Sequence, residues 1–140
     1  MSEQKMNNLR TRISQEMTVE YSGSLEKNFD LAKQFIRITK QGKVDILARD
    51  KFIGKERILL YLVGKLYAKE AGLATTNEVG NKELLDELGI PEGSLLPWLK
   101  DLRGTNKIKQ AKKGRYTYHF IPINLVERTL RSMEEKVRRP

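Results

Sequence analysis

The chain has 140 residues, a formal net charge of +9 and no cysteine. That length holds one domain, or one domain with a small appendage. The missing cysteines exclude disulfides, Cys-based zinc sites and thiol catalysis, and the positive excess points to a polyanionic partner: DNA, RNA or an acidic surface.

The charge is unevenly placed. Residues 1–54 hold 10 Lys and Arg against 7 Asp and Glu, residues 55–103 hold 7 against 8, and residues 104–140 hold 10 against 3. Electrostatic attraction therefore concentrates in the last quarter of the chain. No apolar run approaches the roughly 18 residues that span a bilayer. The opening MSEQKMNNLRTRIS has no apolar stretch of the secretory kind. A cytoplasmic protein with no membrane partner is expected.

In chain order, residues 1–17 read as a flexible basic arm, or as a helix that orders only against a partner. Residues 18–54 read as a strand–helix–strand preface. Thr18–Ser22 alternates as a short strand does. Ser24 is a candidate N-cap, and from it Leu25, Phe29, Ala32 and Ile36 recur at helical spacing until Gln41-Gly42. KVDILAR (43–49) is strand-like, with Val44 and Ile46 on one side and Leu47 on the other.

Residues 55–71 predict an amphipathic helix with Ile58, Leu59, Leu62, Leu66 and Ala71 on its core stripe, closed by Gly72. Gly64 lies inside it, at a cost of roughly 1 kcal/mol relative to Ala, and suits close packing. Asn81 is a candidate N-cap for a second helix that buries Leu84, Leu85 and Leu88. Gly89 supplies the turn and Pro91 suits the opening of a third helix over 94–103. In that third helix Leu95, Trp98, Leu99 and Leu102 form the inward stripe. Residues 107–122 predict a basic β-hairpin with its tip at Lys113-Gly114 and Tyr116, Tyr118 and Phe120 facing the core; turned outward, those rings would offer a stacking platform for unpaired bases. Residues 123–140 predict a basic C-terminal helix. Its Ile123, Val126, Leu130, Met133 and Val137 make an a/d seam, which either joins two copies or lies against its own domain.

Over 55–122 the succession helix, spacer, helix, tight turn, helix and hairpin is that of a nucleic-acid-docking module. The segment ELLDELGIPEGSLLPWLKDLRGTNKIK (83–109) resembles the winged helix-turn-helix superfamily of transcription regulators, including small archaeal regulators. Leu84, Leu85, Leu88, Gly89, Ser94, Leu95, Leu99, Leu102 and Ile108 carry the resemblance, which covers about half the chain. It implies an α+β fold, with the preface and a long C-terminal helix added to the winged helix.

The expected nucleic-acid contacts are Lys100, Arg103, Lys107, Lys109, Lys112, Lys113, Arg115, Arg128 and Arg131. Lys107 to Arg115 carry no acidic residue. Crowded like charges destabilise a hairpin unless a polyanion offsets them. The third helix is a poor reader of bases. Its outward positions include Leu96 and Pro97, which donate nothing to a base edge, and only Lys100 and Arg103 are suited to donate. Leu96, Pro97, Leu130 and Met133 are instead expected at protein interfaces. The expected function is a DNA-binding regulatory or chromatin-associated protein of weak sequence specificity. An RNA- or ribosome-associated factor and an assembly adaptor are the alternatives, and a homodimer through the C-terminal helix is a further expectation.

No catalytic constellation is visible. His119 stands alone, without the further ligands that metal sites need, and the pairs Asp86-Glu87 and Glu134-Glu135 point to different helix faces. Neither a P-loop nor GxGxxG is present. No enzyme activity, metal or cofactor is expected.

Overall fold

The computed structural model describes residues 2–17 and 23–139, with side chains from residue 8 onward. The strand expected over Thr18–Ser22 lies outside the described residues. The fold is α+β. In order it comprises α1 (Ser2–Glu16), α2 (Ser24–Lys27), α3 (Phe29–Ala32), β1 (Ile36–Ile38), β2 (Val44–Ile46), α4 (Gly54–Glu70), β3 (Val79–Gly80), α5 (Asn81–Leu88), α6 (Leu95–Gly104), β4 (Lys109–Lys113), β5 (Tyr116–Phe120) and α7 (Val126–Arg138). Residues 8–17 of the N-terminal arm are exposed along their whole length.

α4 is the centre of the molecule. Ile58 through Gly64 are buried consecutively, so this helix is enclosed on more sides than one stripe allows. Ala71, expected on the stripe, is exposed beyond the helix end. The Glu56 side chain returns to accept from the Ile53 N–H at 2.8 Å, which satisfies one orphan donor of the first turn. α4 packs against the β1–β2 hairpin on one side and against α5, α6 and α7 on others. Gly64 makes the first contact feasible: a Cβ there would lie 2.4 Å from a Val44 methyl. The close packing it permits is with a hairpin.

The preface departs from its expected form. In place of one helix running to Gln41, two short helical turns break at Asn28, and Ile36–Ile38 is a strand paired antiparallel with Val44–Ile46. Asn28 is buried and its amide donates to the Ser24 carbonyl at 2.8 Å, within its own turn. Ser24 is the first helical residue, after Gly23, and caps nothing with its side chain. Leu25, Leu31, Phe35, Ile36, Val44, Ile46 and Phe52 join the same apolar cluster as the residues of α4 to α7. Residues 23–54 thus share a core with α4 to α7.

A three-stranded sheet, ordered β3-β5-β4, flanks α5. Asn81, expected to cap α5, is its first residue instead; Gly80 precedes it in extended conformation. Gly89 closes α5 in the left-handed conformation, φ +62°. α6 begins at Leu95, so Pro91 belongs to the preceding turn and Pro97 to the first helical turn, where its missing N–H breaks no helical bond. Leu95, Leu99 and Leu102 are buried, whereas Trp98 is half-buried, its ring over Gly54 at the start of α4.

Two expectations about faces are corrected. On β5 the inward residue is His119, only 2% exposed, while Tyr116, Tyr118 and Phe120 take the other face. On α7, Val126, Leu130 and Met133 are buried within the chain against α4 and the preface. Leu130 and Met133, expected at a protein interface, are core residues. The a/d pattern is the stripe of one amphipathic helix laid on its own domain.

Candidate nucleic-acid interface

The basic hairpin is built from local signals. β4 and β5 pair in the register Lys109 with Phe120, Gln110 with His119, Ala111 with Tyr118, Lys112 with Thr117 and Lys113 with Tyr116. Gly114 takes φ +64° at the first place of the two-residue turn Gly114–Arg115, the position at which such hairpins favour glycine. The register splits the cations. Lys109 and Lys113 share a face with the aromatic residues, Lys112 lies on the opposite face and Arg115 at the tip.

Intrachain pairing sorts the nine expected contacts. Among the described residues, Lys100, Lys107, Lys109, Lys112, Arg115 and Arg128 make no ion pair, and all six are exposed. Lys113 is engaged: Glu78 lies 2.8 Å from its Nζ and, by hydrogen bond and charge, holds the ammonium above its ordinary pKa. Arg131 is shared between Glu127 and Glu134 on its own helix, at 3.9 and 3.5 Å. Arg103 is half-buried, and its charge reaches His119.

Lys107 and Arg128 come together. They line a cleft of about 240 Å³ with Glu56, Leu59 and Thr129 between α7, the start of α4 and the loop after α6. Beside it Glu56 is paired with Lys136. Neighbouring Lys100 on α6, Asp101 pairs with Lys55 at 2.8 Å, and that lysine lowers its carboxyl pKa. Lys100 remains the outward cation of α6. Leu96, 63% exposed, and Pro97 are outward too, as expected.

Sequence reasoning missed two features. The pairing of Glu78 with Lys113 joins residues remote along the chain and has no local signature. The link between Asn81 and His119, 2.6 Å from Oδ1 to Nε2, was obscured because an Asn before a helix reads as a cap. Burial first, and the Arg103 charge second, push the His119 pKa down to about 4, so the imidazole is neutral at physiological pH. Among the described residues no group of three or more His, Cys, Asp or Glu is placed to hold a metal ion, and no helix is long and apolar enough to cross a membrane. No protein-family model, curated protein or solved structure matches the chain.

Proposed function

We propose that residues 54–122 form a winged helix-turn-helix and that the protein binds duplex DNA through backbone contacts, with weak sequence discrimination, in a regulatory or chromatin-associated role. The order helix, strand, helix, helix, hairpin supports the fold reading. The observation that carries the functional reading is the set of exposed cations without ion-pair partners among the described residues, three of which, Lys109, Lys112 and Arg115, stand on one hairpin. Between Leu102 and Val126 the chain has no acidic residue. Such a surface concentrates positive potential that phosphates relieve. The weak discrimination follows from α6, where Leu96 and Pro97 occupy the outward surface and only Lys100 is a fully exposed donor.

The test is a salt titration of duplex binding by the full chain and by a triple variant, Lys109→Glu, Lys112→Glu and Arg115→Glu. Loss of three phosphate contacts flattens the slope of log affinity against log salt by about 2–3 units. An unchanged slope removes the hairpin from the interface.

The exposed Leu96-Pro97 pair favours a second reading, in which α6 docks a protein of a larger assembly, the ribosome included. Leu96→Asp with Pro97→Asp then abolishes pull-down of that assembly while duplex binding is only mildly reduced.

A further inference from the structure

The outward face of the β3-β5-β4 sheet carries aromatic rings that phosphate contacts leave unused. Side chains directly opposite in a ladder share a face, so Phe120, Tyr118 and Tyr116 stand beside Lys109, Ala111 and Lys113. Tyr116 is 63% exposed, and Tyr118 and Phe120 are half-buried. Same-face rings on one strand recur every ~6.8 Å. On the other side of Tyr118 the strand β3 offers Gly80, which adds no side chain at that edge; a Cβ there would meet the Tyr118 ring at 3.7 Å. Lys113 already sits 5.9 Å from the Tyr118 ring centroid, held near it by Glu78. Lys109, at the other end of the row, makes no ion pair among the described residues.

Resting on the DNA-binding reading above, we infer that this face stacks the unpaired bases of single-stranded DNA. A base inside a closed duplex has both π-faces covered by its neighbours, so only an unpaired strand can use these rings. Lys109, exposed and without an ion pair among the described residues, suits its backbone. An apolar protein surface seated here would bury Lys109 without a counter-charge, which is costly. The chain therefore grips closed duplex through Lys109, Lys112 and Arg115 and lays an opened strand on the Tyr116 face, where Lys109 serves both.

Fluorescence anisotropy with the full chain tests this, using three labelled probes: a thymidine homopolymer, a blunt duplex and a uridine homopolymer of equal length. Tyr116→Ala is expected to weaken thymidine-homopolymer binding roughly 5- to 100-fold and duplex binding less than about twofold. Tyr116→Phe, which keeps the ring, retains the wild-type affinity for the homopolymer. Thermal melts of both variants confirm the fold. Unchanged homopolymer binding by Tyr116→Ala, or an equal loss on homopolymer and duplex, overturns the inference. Tighter binding of the uridine than of the thymidine polymer overturns the assignment to DNA. Duplex binding that depends on Lys112 and Arg115 but a homopolymer that ignores Tyr116 sinks this inference alone; a wild type that binds none of the probes sinks the reading on which it rests.

Discussion

His119 donates from Nε2 to the Asn81 side-chain oxygen at 2.6 Å and so ties the middle strand of the sheet to the first residue of α5. The other ring nitrogen, Nδ1, is enclosed with no hydrogen-bond partner among the described residues. A second proton on this ring would bury a charge and an unpaired N–H near the Arg103 charge; burial first and that repulsion second depress the pKa.

That relationship makes stability pH-dependent with a definite sign. In the unfolded chain the imidazole titrates near 6.5, and in the folded chain near 4. On acidification the unfolded state takes up its proton first. Stability from the neutral ring is fully present above about pH 6.5 and is lost between there and pH 4, by up to about 3 kcal/mol. Urea midpoints should fall across this window, and the fall should be shallower in His119→Gln. Parallel pH profiles for the two proteins would show that His119 is not the group responsible, since carboxylates contribute equally to both.

Gly64→Ala should destabilise the protein, although alanine is the better helix former by roughly 1 kcal/mol. The added methyl would enter the Val44 side chain, with Ile36 behind it. Overpacking of this kind costs about 1–3 kcal/mol, which outweighs the propensity gain. A chemical denaturation midpoint that rises in the variant would show that the β1–β2 hairpin moves aside freely.

Leu130→Glu should unfold the domain. Leu130 is buried against the chain's own core, and an unpaired carboxylate there has no compensating cation. Circular dichroism is expected to show loss of cooperative melting. A variant that stays folded and changes only its sedimentation coefficient would restore the view that α7 is a seam between copies.

Pairing state should rank the cations on duplex DNA. Lys112→Ala and Arg115→Ala each remove a free charge and should flatten the salt slope by about 1 unit. Lys113→Ala and Arg131→Ala remove charges already opposed by Glu78, Glu127 and Glu134, so the slope should barely move. Equal effects across the four would show that these intrachain pairs dissolve when a polyanion arrives.

Much of this protein is legible in local pattern. The apolar periodicity of 55–71 identifies a helix, observed over Gly54–Glu70; Gly89 marks a left-handed turn, and Gly114 the hairpin tip, which lies at Gly114–Arg115, one residue beyond the expected Lys113-Gly114 because Lys113 still pairs with Tyr116. These features depend on contacts only a few residues apart, where spacing and backbone preference suffice. The basic surface was equally legible, because charge counts need no fold. Tertiary structure decided the rest. Ile36 fits a helical spacing and a strand alike, and only its pairing with Ile46 selects the strand. Alternation in Tyr116–Phe120 defines two faces without saying which is inward; that choice came from the space between β5 and α5, which encloses His119 and its bond to Asn81. The seam of α7 requires an apolar partner, and α4 and the preface supplied one within the chain. Free and paired lysines are identical in sequence, and only the folding of Glu78 onto Lys113 separates them, since a Coulomb pair acts through space and not along the chain.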